Sequence, residues 1–205
     1  MNARAIVAIV LALLALAGGA AAGGRAGGGA AATPGDSVYQ LTGAFRDQTG
    51  GDVQLGVYRG RPVLMSMFYA SCTDTCPLLI ADLHRIEESL PSAVRADLRV
   101  VLVSLDPAHD TPAALRRLAE THRLDANRWR LLTGTDDAVG DVAAVLGVKF
   151  RHLSTGAIDH STVIAVLDRR GVVASRTEGI VPGDPKLIAR VTETLQVLRP
   201  VPTRP

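Results

Sequence analysis

Residues 62–77 read Pro62-Val63-Leu64-Met65-Ser66-Met67-Phe68-Tyr69-Ala70-Ser71-Cys72-Thr73-Asp74-Thr75-Cys76-Pro77. The near-continuous apolar run from Val63 to Tyr69 is the pattern of a central strand buried on both faces. Pro77 fits the first turn of a helix, where its missing N–H is not needed. Leu78, Leu79, Ile86 and Leu90 give that helix an amphipathic spacing, from about Pro77 to Leu90. A buried strand therefore hands over to a helix at a junction that holds both cysteines of the chain.

Strands and helices alternate outward from this junction. Arg99 to Leu105 is a second buried strand, and Thr111 with Pro112 caps and opens a helix over Ala113 to His122. Trp129 to Leu132 reads as a short strand. Thr135 caps a third helix, with Asp136 and Asp137 in the first turn, where the helix dipole favours acids. Upstream, Val38 to Phe45 and Val53 to Val57 read as strands around a turn at residues 47–51. Downstream, a strand ends at His152, Ser161 to Leu167 and Val172 to Thr177 form a hairpin around Asp168-Arg169-Arg170-Gly171, and Pro182 to Leu198 closes the chain as a helix. A β-rich opening, a βαβ centre and a ββα close predict a thioredoxin-like three-layer α/β fold, with a central mixed β-sheet flanked by helices.

The 205 residues suit one domain with extensions, and 47% hydrophobic with 20% charged residues suits a packed core. The net charge of +2 is scattered, so a nucleic-acid partner is not expected. Arg4 precedes an apolar run from Ala5 to Ala17, followed by small residues and an A-x-A site at Ala20-Ala21-Ala22. That order marks residues 1–22 as a signal peptide or, if uncleaved, an N-terminal membrane anchor. The dense apolar part is short of the roughly 20 residues a spanning helix wants. With no cysteine nearby, the segment offers no lipoprotein anchor. Either way the domain is expected to be exported, periplasmic or on the outer face of the cytoplasmic membrane. Residues 23–35 read as a flexible Gly/Ala-rich linker, 36–199 as the domain and 200–205 as a tail.

Cys72 and Cys76 stand four apart, which around a helical turn puts their Cα atoms roughly 6 Å apart on one face. That spacing permits a disulfide, and it permits two thiolates to chelate one metal ion. The helix N-terminus favours thiolate over thiol. A permanent disulfide would close a very small loop and gain little. A thioredoxin-type redox motif has two intervening residues, and the third one here widens the bite. Thiolates suit Cu(I), zinc and iron–sulfur clusters. A cluster needs about four protein ligands and zinc needs further donors, whereas Cu(I) is content with two thiolates and one histidine. Pattern alone does not choose among His84, His109, His122, His152 and His160. Met65 and Met67 share one strand face and read as core, as does Trp129. Asp106, Asp110 and Thr111 read as a turn and N-cap. Asp159 either orients His160 or caps a turn.

The chain resembles the Sco/SenC family, thioredoxin-like copper-binding proteins that assemble cytochrome c oxidase. Asp47-Gln48 with Gly50 and Arg59-Gly60-Arg61-Pro62-Val63-Leu64 resemble the family's opening. Ser71-Cys72-Thr73-Asp74-Thr75-Cys76-Pro77 resembles its cysteine motif, and Val103-Ser104-Leu105-Asp106-Pro107 with Asp110-Thr111-Pro112 its second signature. Trp129 with Leu132-Thr133-Gly134, and then Asp159-His160-Ser161, complete the order. The resemblance implies that Cys72, Cys76 and His160 bind copper, as Cu(I) or Cu(II). It implies delivery to the binuclear copper centre of cytochrome c oxidase subunit II or another copper-receiving protein. Other periplasmic copper chaperones or thiol reductants are the further partners implied. Ser71 stands where the family often has histidine, Thr-Asp-Thr replaces a segment that usually begins with proline, and His109 takes a commonly basic position. The competing expectation is a thiol–disulfide oxidoreductase, not a classical enzyme, that reduces the recipient's cysteines by cycling Cys72 and Cys76. His160 separates the two, because a reductase has little need of it. A peroxidase-like relative would need a cationic group beside its cysteine, and the motif shows none.

Overall fold

Val63–Phe68 forms the expected central strand, and all six of its residues are buried. In chain order the regular elements are β1 (Phe45–Asp47), β2 (Asp52–Val53), β3 (Val63–Phe68), α1 (Thr75–Ser89), α2 (Ser92–Asp97), β4 (Arg99–Ser104) and α3 (Pro112–Thr121). They continue with β5 (Trp129–Gly134), α4 (Asp136–Leu146), β6 (Phe150–His152), β7 (Ile158–His160), β8 (Val163–Leu167), β9 (Val173–Glu178) and α5 (Pro185–Val197). The computed structural model describes residues 35–179 and 181–198. The signal or anchor at 1–22, the linker up to residue 34 and the tail lie outside these.

Seven strands form one mixed sheet in the order β2-β1-β5-β4-β3-β8-β9. The inner strands β3, β4 and β5 run parallel, while β1, β8 and β9 are antiparallel to their neighbours. Side chains alternate between two cores, as the period of two requires. Val63, Met65, Met67, Val101 and Val103 face a core closed by α4, whereas Leu64, Phe68, Val100, Leu102 and Trp129 face one closed by α1, α3 and α5. The three-layer thioredoxin-like α/β plan is thus the observed one, and Met65, Met67 and Trp129 are core residues. Both cores lie inside Thr33–Pro205, a compact unit in its own right, so this piece carries what it needs to fold by itself.

The expected caps are present: Thr111 accepts from the Ala114 N–H and Thr135 from the Ala138 N–H, both at 3.3 Å. The N-terminal strands differ from expectation. Val38–Gln40 and Leu55–Tyr58 are 3-10 turns, and only residues 45–47 and 52–53 pair as strands. The Ser37 hydroxyl caps the first turn through the Tyr39 N–H, which places Val38 and Tyr39 in the core without a strand partner. β6 and β7 form a separate two-stranded ribbon, and α2 had no sequence signal of its own.

Candidate metal centre

The cysteine segment begins where β3 ends. Leu105 N–H donates to the Phe68 carbonyl at 2.7 Å, and Cys72 N–H turns back onto Tyr69 O at 3.2 Å. Asp110, a buried residue from the loop before α3, accepts the Ala70 N–H at 2.8 Å and the Ser104 hydroxyl with the same oxygen. One carboxylate therefore joins the ends of β3 and β4 beneath the cysteines. Burial raises its pKa, against the opposing pull of those two donors.

Helix α1 starts at Thr75 without a capping side chain from Asp74. The Cys72 sulfur takes that part, accepting the Cys76 N–H at 3.4 Å. Burial alone pushes the Cys72 thiol up. The amides of Cys76, Asp74 and Thr75 and the Cys76 thiol outweigh it, so the net shift is downward. Cys76 is only 3% exposed, and burial pushes it up to about 12. Both cysteines are free. The pair is asymmetric, with one accessible sulfur disposed to be a thiolate and one buried sulfur that keeps its proton.

His160 is the last residue of β7. Its Nδ1 faces the Ser161 carbonyl at 3.2 Å, and donating there leaves the Nε2 lone pair for a metal. Between this ribbon and the cysteines stands Tyr69. Its ring meets the imidazole edge-on at 5.8 Å, and its hydroxyl lies beside the Cys72 sulfur and the Ile158 amide. Burial, then the Cys72 sulfur, raises the phenol's pKa. Tyr69 thus touches two of the three expected donors. Among the described residues, no three His, Cys, Asp or Glu side chains converge tightly enough to hold an ion. The two sulfurs sit together, and His160 stands off behind Tyr69.

The other histidines have structural surroundings. His84 stacks on Trp129 with ring centres 4.6 Å apart, His109 bonds Asp106 at 2.8 Å, His152 meets Phe150 edge-on, and His122 ends α3. Among the described residues Asp159 bonds neither His160 nor a turn amide; it pairs with its cross-strand partner Arg151 at 2.8 Å, and His160 Nδ1 faces the Ser161 carbonyl instead. Tyr69 and Asp110 escaped the sequence reading. Tyr69 continues the buried strand and reads as core, and Asp110 reads as part of a turn. The one available signal was the position of both inside the two junction motifs.

A donor set of two thiols and one imidazole fits a soft or borderline ion. The SCO1/SenC family model matches residues 33–196 of the chain. A Bacillus subtilis SCO1 protein homolog is 30% identical over 90 residues, which are 44% of this chain and 46% of that protein. The chain thus spans slightly under half the length of the curated relatives it matches. The structure of yeast Sco1 with copper bound superposes with a TM-score of 0.63 at 22% identity, covering 78% of this chain and 89% of that one. Arabidopsis thaliana ScoI with copper bound gives 0.63 at 21%, covering 75% and 96%. These two likenesses show the fold.

Proposed function

The chain belongs to the SCO1/SenC family, and from that membership we propose that it is an exported copper metallochaperone whose cargo is held by Cys72, Cys76 and His160. The observation that carries this reading is the asymmetric cysteine pair at the N-terminus of α1, one sulfur accessible and one buried, with a histidine-bearing ribbon next to it.

Capture begins at Cys72, whose sulfur is already stabilised as thiolate by the helix amides. Cys76 yields its proton when the cation takes its place. His160 then approaches from β7 through Nε2, and its imidazole also accommodates Cu(II). Release reverses the order, as thiolates of the recipient exchange for these donors one at a time. The proposed recipient is the binuclear copper site of cytochrome c oxidase subunit II or another copper-receiving protein. Periplasmic copper chaperones or thiol reductants would load or reduce the domain.

The same asymmetry supports a second reading, thiol–disulfide exchange. The Cys72 thiolate would attack a disulfide in the recipient, forming a mixed disulfide and releasing one recipient thiolate. Cys76, passing its proton to the recipient thiolate released first, would then attack the Cys72 sulfur, releasing the second recipient thiolate and leaving a Cys72–Cys76 disulfide. The recipient gains two electrons and this protein loses them.

An anaerobic Cu(I) titration of residues 33–205 against a competing chelator separates these readings. One tight equivalent, lost in Cys72→Ser and in Cys76→Ser and weakened in His160→Ala, supports the chaperone. Absence of tight binding, with reduction of a recipient disulfide intact, leaves the exchange reading.

A further inference from the structure

The parallel strands give the domain two distinct ends. Cys72 lies beyond the C-terminal end of β3, whereas Arg61 precedes β3, Arg99 opens β4 and Arg130 is the second residue of β5. The registers Val63 with Arg99 and Val100 with Trp129 align these starts side by side. Six residues of strand put the two ends roughly 17–20 Å apart.

At the arginine end lies a cleft of about 350 Å³, lined by Arg61, Arg99, Arg130, Asn127 and Val57, with Asp52 its one carboxylate. Arg130 is partly answered by Asp47 at 3.4 Å. Arg99 spends one nitrogen on the carbonyls that end α2, including Leu98 O at 2.7 Å, and has no acidic partner among the described residues. Arg61 has no side-chain hydrogen bond or ion pair among them. Three guanidinium groups here face two carboxylates, and Arg61 and Arg99, without acidic partners among the described residues, match the geometry of phosphate oxygens. Val57 stands beside them on the Leu55–Tyr58 turn, 66% exposed, an apolar group no soluble phosphate would need.

We infer that this end binds an anionic phospholipid surface, with Arg61, Arg99 and Arg130 on headgroup phosphates and Val57 dipping below them, so that the cysteine end faces away from the bilayer. The entry of the chain agrees with this. The Val38 N–H bonds Gly171 O at 3.0 Å, in the turn that follows β8, whose last residue Leu167 pairs with Val63. The first described residues of the domain therefore lie at the arginine end.

The test is co-sedimentation of residues 33–205 with phosphatidylcholine vesicles containing or lacking phosphatidylglycerol. Binding is expected only with the anionic lipid. It should weaken about fivefold with Arg61→Gln and again with Arg99→Gln, as one cation near a charged bilayer is worth, and fall with added salt. Val57→Ser should weaken it too. Copper titration of Arg61→Gln should match the parent protein, which shows the fold intact and keeps this result separate from that of the copper site. Equal binding to both vesicle types, or full binding by the arginine variants, overturns the inference. So does displacement by millimolar inorganic phosphate, which would mark a small-anion site instead.

Discussion

The ring of Tyr69 stands edge-on to the imidazole of His160, with centres 5.8 Å apart and planes at 80°. The same residue's hydroxyl lies beside the Cys72 sulfur. One side chain thus joins the ribbon that carries the histidine to the cysteine segment that leads into α1.

That contact should have a measurable energy. Edge-to-face ring pairs contribute about 0.5–1.5 kcal/mol beyond their buried area. A double-mutant cycle of Tyr69→Leu and His160→Ala, followed by urea unfolding of the metal-free protein, should give a coupling in that range. Strict additivity would show that the two rings are neighbours without being partners.

The two cysteines should differ sharply in reactivity. Iodoacetamide at mildly alkaline pH should label Cys72 first, with a rate–pH profile centred below that of a free thiol. In Cys72→Ser, Cys76 should stay almost unlabelled until the protein unfolds, because its proton is held to about pH 12. Equal labelling rates would contradict the asymmetry.

Alkaline pH should destabilise the metal-free fold. Cys76 is raised from 9.0 to about 12, and Tyr58 from 10.0 to about 12, both chiefly by burial. Above the unfolded values the native state holds more protons than the unfolded one, so stability is fully present below about pH 9 and is lost as pH climbs towards 12. Cys76→Ala should flatten the first part of that decline, measured by urea midpoints across the pH series. An unchanged slope would show that the buried thiol contributes nothing to it.

Removing the carboxylate under the cysteine segment should loosen it. Asp110→Ala leaves the Ala70 amide and the Ser104 hydroxyl without their acceptor, and an unpaired buried polar group costs about 1–3 kcal/mol. Asp110→Asn keeps an acceptor oxygen and should recover part of the loss in thermal unfolding. Equal stability of Asp110→Ala and the parent would remove Asp110 from this part.

The sheet was legible in the sequence because its inner strands are buried on both faces, and such runs as Val63–Phe68 and Arg99–Ser104 have few other readings. The helix starts at Thr111 and Thr135 were legible for the same local reason, as caps act within one turn. The N-terminal strands were misread because Val38 and Tyr39 are buried by contacts with Gly171 and Arg59, far along the chain. At the site, the cysteines announced themselves by spacing, while the resemblance singled out His160. Tyr69 and Asp110 did not, since both act through partners brought close only by the crossing of strands. Asp159 was misjudged because its neighbour in sequence, His160, is not its partner across the ribbon.

The ribbon of β6 and β7 belongs to neither edge of the seven-stranded sheet. A lone two-stranded hairpin is only marginally stable, and such units open at far lower free energy than core strands. The two sulfurs follow directly on the central strand of the seven-stranded sheet, and the imidazole rides on a two-stranded ribbon outside it. On the proposed copper reading, the lifetime of a loaded state would follow the opening of this ribbon, so substitutions in it would retune how long cargo stays aboard while leaving the domain's melting temperature nearly unchanged.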